Sequence, residues 1–295
     1  MAVMSLSVNI IGAGRLGQTL GHLLTLHQAA TINGLCNAHL ESARAAADRI
    51  GAGKAFAEIH ALPPADISFI TTPDSAISGV ASMLAESPNL KPKSIVLHCS
   101  GVETSDLLEA LKARGCFVAS VHPMRSFANS KQSALQFAGT FCAIEGDAPA
   151  LECLEPLFTA IGARTCRIAR EGKAFYHAAG VFASNYVVTL TEHAKACLNA
   201  AGIDDTLAMA MLTNILGSTV ANLEASSSPE CALTGPINRG DIATLEKHLK
   251  TLDDSKDARL YAELGLATLR LTHHAPETLA QMEKVFRTTL ESIHG

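Results

Sequence analysis

A lysine and a histidine four residues apart begin a helical stretch in the second half of the sequence. Lys173, His177, Gly180 and Ser184 recur at helical spacing; at about 100° per residue they fall within roughly 60°, with Asn185 beside them. An ammonium group or an imidazole can donate a proton or polarise a carbonyl. We therefore predict catalytic roles for the four polar residues, and a close approach of backbone or ligand at Gly180. The structural alternative is a solvated helix start, with His177 and Asn185 bonded to neighbouring helices.

Two further histidines, His98 and His122, each stand at the end of an apolar run that predicts a strand. Imidazole titrates near neutral pH, so either could act as a proton donor. Either could equally be a structural histidine bonded to the backbone. We predict that His122 is catalytic and that two neighbours of these histidines, Ser100 and Arg125, bind substrate.

A turn-rich segment over residues 232–241 contains a single arginine, Arg239, beside a glycine. A guanidinium group in such a segment suits the binding of a carboxylate or phosphate, although an ordinary salt bridge is an equal alternative. Asp241 is placed to cap the helix that follows. The sequence has no clustered spacing of metal ligands, and we expect no metal site.

The turn Gly12-Ala13-Gly14-Arg15-Leu16-Gly17 follows an apolar strand and opens a helix. In this context the first glycine permits a tight turn, the second lets phosphates approach the backbone, and the third lets helix and strand pack closely. A pyrophosphate would meet the free N–H groups of the helix N-terminus. The turn predicts a dinucleotide-binding site.

The residues after the second predicted strand indicate which dinucleotide binds. An acidic residue there would hold the ribose of NAD, but the chain has Asn37 and His39. A carboxylate there would repel a 2′-phosphate, and its absence removes that repulsion. Asn37, His39 and Arg15 can donate hydrogen bonds to the 2′-phosphate. We predict NADP in preference to NAD. Thr71, Thr72 and Pro73 are expected to line the dinucleotide, while Asp74 caps the next helix.

The elements that position these residues change in character near residue 170. Over residues 1–168, short β-branched runs alternate with helical patterns, which predicts a doubly wound, mostly parallel α/β sheet of the Rossmann type. Residues 169–295 predict an all-helical domain for substrate binding and dimerisation. Its first helix is expected to run unbroken over 171–200, followed by helices near 204–225, 241–252, 255–273 and 276–293.

Composition excludes several classes of protein. The 295 residues are 48% hydrophobic and carry a formal net charge of −5, which argues against a nucleic-acid-binding surface. We expect no secretory signal and no membrane-spanning helix. Eight cysteines without a Cys-x-x-Cys pair indicate reduced thiols in the cytoplasm. The helical domain has more apolar surface than it can bury alone, so we predict a homodimer through residues 171–295.

Six motifs together resemble a family of Rossmann-like oxidoreductases whose helical C-terminal half is the domain of unknown function number 2520. They are GAGRLG at 12–17, TTPD at 71–74, HCSG at 98–101, HPMRSF at 122–127, YHAA with SN within 176–185, and LTGPINRGD at 233–241. The resemblance covers essentially the whole chain. It implies NADP binding, a cytoplasmic location and a dimer, but no particular substrate.

The layout is also similar to a wider group that includes 6-phosphogluconate, β-hydroxyacid, ketopantoate and pyrroline-5-carboxylate reductases. In the hydroxyacid and ketopantoate enzymes a lysine is followed four residues later by asparagine; here Lys173 matches, but His177 replaces the asparagine. HPMRSF replaces the Ser-Gly-Gly loop of the β-hydroxyacid enzymes. The sequence thus predicts an NADP-dependent oxidoreductase acting on a small 2-oxo or imino acid in an interdomain cleft. A non-catalytic NADP-binding regulatory module is the alternative.

Overall fold

The computed structural model describes residues 6–127, 129–252 and 256–292. The chain divides into two compact units, residues 1–186 and 187–295. The first contains a β-sheet with helices, and the second contains only helices among its described residues. This confirms the predicted fold class.

The strands of the first unit form one sheet in the order β3-β2-β1-β4-β5-β6-β7-β8. All neighbours are parallel except β6 and β7, which are antiparallel. The first six strands have the order of a doubly wound dinucleotide-binding sheet. The strands are β1 Ser7–Ile11, β2 Thr31–Cys36, β3 Lys54–Phe56, β4 Ile67–Ile70, β5 Ile95–His98, β6 Phe117–Pro123, β7 Phe141–Gly146 and β8 Arg164–Arg167.

Helices pack against the sheet and bury its central strands. The apolar runs of β4 and β5 are buried at every position, as expected for parallel strands covered on two faces. The helices of this unit are α1 Arg15–Leu26, α2 Leu40–Ile50, α3 Asp74–Ala85, α4 Glu109–Lys112, α5 Ser130–Leu135, α6 Ala148–Ala160 and α7 Lys173–Ala183. Single 3₁₀ turns cover 59–61, 105–108 and 170–172.

The register of the sheet brings three polar side chains into one row. His98 of β5 pairs with Ser120 of β6, and Ser120 pairs with Glu145 of β7. All three are buried. Buried polar groups require hydrogen-bonding partners, so residues around this row must supply donors and acceptors to it.

The second unit is built from α-helices. Its core consists of Leu245, Leu249, Ala262, Met282 and Phe286. The helices are α8 Asn185–Ala200, which begins at the end of the first unit, then α9 Asp205–Ala225, α10 Pro229–Ala232, α11 Gly235–Arg239, α12 Ile242–Leu252, α13 Lys256–Leu269 and α14 Pro276–Ser292.

The predicted unbroken helix over 171–200 is wrong, because it is interrupted at Ser184. That residue has φ −130° and ψ −68°, and its hydroxyl donates a 2.7 Å hydrogen bond to the carbonyl of Gly180. Serine bonding back to the preceding turn favours helix bending. The predicted domain boundary at 168/169 precedes α7, whereas the structural division follows it. Lys173 donates to Ser120 and Tyr176 donates to the His122 carbonyl, both in β6, and these bonds tie α7 to the first unit.

Helix α9 differs from the rest in its exposed apolar surface. By length and composition it could span a membrane: the mean hydropathy of an 18-residue window is 1.3. Only 6% of that window is buried. The expectation that the chain has no membrane-spanning helix stays a prediction, because α9 meets this criterion by length and composition only. A single helix of this kind is weak evidence for a membrane, since a face covered by a protein partner has the same character. The exposed residues are Leu207, Met209, Met211, Ile215, Val220 and Leu223.

Candidate functional site

The glycine turn between β1 and α1 has the geometry that its sequence predicts. Gly12 has φ +84°, and a Cβ there would come within 2.8 Å of the backbone nitrogen of Thr72. A Cβ at Gly17 would overlap the Thr71 hydroxyl and lie 3.2 Å from Ile10. Gly12 therefore serves the turn, and Gly17 the contact between helix and strand.

A cavity of about 1110 Å³ lies beside this turn. Seven predicted residues line it: Gly12, Ala13, Gly14, Asn37, Thr71, Thr72 and Pro73. Sequence reasoning missed several others, including Gln18, Ser42, Glu58 and His60, and the helical stripe Ala76, Val80 and Met83. The spacing of that stripe could have revealed it, but Glu58 and His60 follow β3, a strand that the sequence did not predict.

Four predicted cofactor residues do not line the cavity. Leu16 packs against the core of the sheet, and Gly17 is buried. Arg15 and His39 are exposed. Their predicted contacts with a bound phosphate stay predictions.

Asn37 is bonded within the protein. Its amide oxygen accepts a 2.6 Å hydrogen bond from the N–H of Ala13, and its amide nitrogen donates to the hydroxyl of Ser42 at 3.2 Å. The side chain therefore fixes the glycine turn to the end of β2. The amide nitrogen of Asn37 has two hydrogens, and the bond to Ser42 uses one of them. The other can donate to a ligand.

Several features of this cavity fit a dinucleotide. No side chain caps the N-terminus of α1, and Gly14 at that end is exposed. The hydroxyl oxygen of Thr72 is buried and, among the described residues, has no hydrogen-bonding partner. Free N–H groups at a helix N-terminus bind phosphate, and an unpartnered buried hydroxyl is typical of a site that receives a ligand.

Lys173 is buried rather than exposed to a cleft. Its side chain is 3% exposed, and its ammonium group donates to the Ser100 carbonyl at 3.0 Å and to the Ser120 hydroxyl. Glu145 Oε1 lies 3.9 Å from the Lys173 nitrogen. Burial lowers the pKa of Lys173 to about 8, although nearby Glu145 opposes this shift. The residue holds β5, β6 and β7 together.

Glu145, which the sequence analysis missed, completes this buried network. Its two oxygens accept from the Ser105 backbone N–H at 2.7 Å and the Ser105 hydroxyl at 2.8 Å. Arg170 Nε lies 3.3 Å from Glu145 Oε2. A carboxylate near the end of an apolar strand is the sequence signal that could have identified it, because such a buried charge needs partners.

His98 is a structural histidine. It is fully buried; one ring nitrogen contacts the Thr104 carbonyl at 2.9 Å, and the other accepts from the Ser100 N–H at 3.2 Å. This arrangement requires the neutral ring. Burial lowers the pKa of His98 to about 4. The structural alternative proposed for His98 is therefore the one that its contacts support.

Ser100 has little capacity left for a substrate. Its hydroxyl donates to Asp74 at 2.8 Å and accepts from the N–H groups of Val102 and Glu103 at 3.3 and 3.0 Å. One donor and two acceptor positions exhaust a hydroxyl group. These bonds shape the loop after β5, and the predicted contact of Ser100 with a substrate stays a prediction. The predicted capping role of Asp74 is wrong, because Pro73 is the N-cap of α3, no side chain makes a capping hydrogen bond there, and the Asp74 carboxylate accepts from Ser100 instead.

His122 and His177 form a pair at this loop. Their ring centroids lie 5.9 Å apart, and the Tyr176 hydroxyl donates to the His122 carbonyl at 3.1 Å. His177 is exposed, so the alternative of a buried, bonded His177 does not hold. Burial lowers the pKa of His122 to about 4, and the charges of Lys173 and His177 contribute. Any side chain at Gly101 would overlap His177, so glycine allows this approach.

The remaining predicted residues lie apart from that pair. Ser184 is roughly 10 Å along the helix from His177, at 1.5 Å per residue, and its hydroxyl bonds Gly180 and Asn185. A Cβ at Gly180 would meet no atom within 4 Å, so the predicted close approach of backbone is wrong. Ser184 and Asn185 thus mark the helix break.

The two predicted substrate arginines differ in their surroundings. Arg125 donates to Gln136 at 2.6 Å, and its Nε is buried with no partner among the described residues. Arg239 is exposed and ends the short helix α11, where the sequence indicated a loop. Asp241 bonds the Thr244 N–H at 3.1 Å, which confirms it as a helix cap. Among the residues described, no group of three or more potential ligands could hold a metal ion.

Comparison with known proteins identifies the two parts of the chain. Residues 1–123 match a Rossmann-like domain, and residues 140–268 match a domain of unknown function, DUF2520. No curated protein matches the chain.

Solved structures share the fold over nearly the whole chain. A provisionally assigned NADP oxidoreductase from Bacteroides fragilis has TM-score 0.74 and 21% identity, over 90% of this chain and 98% of its own. A protein from Thermotoga maritima has TM-score 0.69 and 25% identity, over 98% and 100%. Plasmodium falciparum pyrroline carboxylate reductase with NADP bound has TM-score 0.59 and 11% identity, over 98% of each chain. The N-terminal part of the chain thus matches a Rossmann-like domain and the C-terminal part matches DUF2520, the two domains that the motifs predicted.

Proposed function

We propose that this protein is an NADP-dependent oxidoreductase that acts on a small anionic substrate of the 2-oxo acid or imino acid class. The observation that carries the proposal is the glycine turn, in which Gly12 at φ +84° opens a large cavity at the carboxyl ends of the strands. Ligands of doubly wound sheets bind at this edge. The structural neighbours include an NADP oxidoreductase and a reductase with NADP bound, which supports the same cofactor here.

The glycine turn, Asn37 and the residues around Thr72 would hold the dinucleotide. When bound, its nicotinamide supplies or accepts a hydride. The protein must then orient the substrate, exclude water and move one proton to or from the substrate oxygen or nitrogen.

His177 is the residue best placed to move that proton. It is exposed, and its ring lies beside His122 at the loop after β5. His122 is neutral at pH 7, because burial lowers its pKa to about 4. Lys173 is buried and already donates to Ser100 and Ser120, so we assign it the positioning of the strand ends. Arg125 and Arg239 remain the predicted anion-binding residues.

A substrate screen tests this assignment. Purified protein with NADPH is offered a panel of 2-oxo acids and cyclic imino acids, and NADPH consumption is followed by absorbance. We expect consumption with at least one anionic compound and none with its uncharged amide. Tight NADPH binding without turnover on any compound would favour the regulatory module.

We also propose a homodimer through residues 171–295. The exposed apolar side chains of α9 support it, since a soluble protein rarely leaves so many large apolar side chains of one helix uncovered. Sedimentation at tens of micromolar should give twice the monomer mass, and Ile215→Glu, at a residue 61% exposed, should shift the protein to monomer. A monomeric wild-type protein that floats with lipid vesicles would contradict the dimer. A cytoplasmic location and the absence of nucleic-acid partners stay predictions.

A further inference from the structure

A second cavity in the first unit, of about 530 Å³, lies beside α1 and is separate from the glycine turn. Helix α1, the end of α2 and helix α5 supply most of its walls. Its volume is in the range of small-molecule sites. The lining residues are Gln18, His22, Leu23, Leu26, His27, Arg49, Ser130, Lys131, Ala134, Leu135, Ala138, Ile161 and Gly162.

The two charged side chains on this cavity, Arg49 and Lys131, are both cationic, and two histidines accompany them. His22, His27, Arg49 and Lys131 line it, and no acidic residue is among the described lining residues. The chain as a whole carries a net charge of −5, so this clustering departs from the average surface. An arginine with further basic groups binds a carboxylate through charge-assisted hydrogen bonds.

The rest of the cavity is aliphatic. Leu26 and Leu135 are 62% and 86% exposed, and both face this space. The apolar lining contains leucine, isoleucine and alanine but no aromatic side chain among the residues described. An aliphatic chain would cover the two leucines while its charged end met the basic groups, which is the arrangement that an amphipathic ligand needs.

One side chain links this cavity to the glycine turn. Gln18 lines both cavities. Its amide nitrogen donates to the Ala13 carbonyl at 3.0 Å, while its amide oxygen accepts from Arg49 at 3.2 Å and from Ser130 at 3.3 Å. An anion that binds Arg49 would compete with Gln18 for the guanidinium group.

We propose that this cavity binds an aliphatic monocarboxylate and that the bound anion weakens dinucleotide binding through Arg49 and Gln18. Withdrawal of Arg49 frees the Gln18 side chain, which then holds Ala13 less firmly in the turn. Coupling between two sites is reciprocal, so NADPH would weaken carboxylate binding by the same factor. Only this coupling rests on the proposed function; the carboxylate site itself does not.

Calorimetry with decanoate tests the site. We expect decanoate to bind with a Kd below about 1 mM, and decanol and acetate, which carry only the chain or only the charge, to bind at least about tenfold more weakly. Arg49→Gln should weaken decanoate by about tenfold or more. Arg44→Gln, an exposed arginine on the same helix outside the cavity lining, should not. Equal binding of decanol, an unchanged Kd in Arg49→Gln, or no decanoate binding would overturn the site.

Fluorescence titration of NADPH with and without saturating decanoate tests the coupling. We expect the NADPH Kd to rise about fivefold or more, the usual lower range for linked sites. Gln18→Ala should still bind decanoate but lose that change. A change that persists in Gln18→Ala would overturn the proposed route. Failure of NADPH to bind at all would contradict the dinucleotide site and leave the decanoate result standing.

Discussion

The glycine turn and the Lys173–His177 region meet the same edge of the sheet, yet they hold their functional groups in different ways. In the turn, backbone conformation does the positioning: Gly12 has a positive φ and sits against the backbone of Thr72. Around Lys173, burial does so, since Ser100, Ser120 and Glu145 surround an ammonium group from three strands or their ends.

This difference explains why the sequence predicts the glycine turn more accurately than the surroundings of Lys173. A local spacing of glycines determines the turn. The partners of Lys173 come from residues tens of positions away, and only the sheet register aligns them. Helical spacing put Lys173 and His177 on one face, but the structure buries one and exposes the other.

We expect the largest effect, on turnover, from substitution of His177, the exposed residue of that helix face. His177→Ala should lower turnover by about 10²–10⁴-fold, the range for a positioned acid or base. Its stability should fall by less than about 1 kcal/mol, because the residue is exposed. Steady-state rates and urea unfolding measure the two quantities. An unaltered turnover would remove His177 from the chemistry, and a large loss of stability would make it structural.

Substitution of the buried residue, Lys173, should mainly lower stability. Lys173→Met keeps the apolar stem but leaves Ser100, Ser120 and Glu145 without the ammonium group. We expect a loss of about 3 kcal/mol in the free energy of unfolding, from buried polar groups without partners. Unfolding in urea measures it. A variant with wild-type stability would show that the network contributes little.

Backbone conformation in the turn is the next target. Gly12→Ala places a Cβ within 2.8 Å of the Thr72 nitrogen at φ +84°, so NADPH binding should weaken by about 100-fold, equivalent to about 2.7 kcal/mol. Gly180→Ala is the matched control, since a Cβ there meets open space in a helix. That variant should keep NADPH affinity and gain up to about 1 kcal/mol in stability. Equal NADPH affinities for the two variants would contradict the role of the turn.

Acid should destabilise the protein through the buried imidazole of His98, and His122, whose pKa is also lowered to about 4, adds to the effect in the same pH window. The pKa of His98 falls from 6.5 to about 4 on burial, so between these values the unfolded chain binds a proton that the folded chain does not. Stability should therefore drop as pH falls from about 6.5 to 4, by at most about 1.4 kcal/mol per pH unit for this group. Urea unfolding should show a shallower slope for His98→Asn than for wild type. Parallel slopes would assign the acid sensitivity elsewhere.

How much the sequence could predict follows from the same contrast. The sheet apart from β3, the glycine turn and seven of the lining residues follow from periodicity and local spacing. Glu58 and His60 were missed because β3 has only three residues and no distinct pattern. The break at Ser184 was missed because a serine hydroxyl bonding one turn back is compatible with an unbroken helix in sequence. Whether a polar side chain is buried depends on distant partners that periodicity does not identify.

The preference of the cavity beside the glycine turn for NADP over NAD is the central claim, and calorimetry with NADPH and NADH tests it most directly. We expect NADPH to bind at least several-fold more tightly than NADH, since no acid stands at the end of β2. Asn37→Asp keeps an oxygen that can accept from Ala13 but replaces the amide N–H donors with a negative charge, so it should weaken NADPH binding by about tenfold and should not weaken NADH binding. Equal or reversed affinities in the wild-type protein would contradict the account.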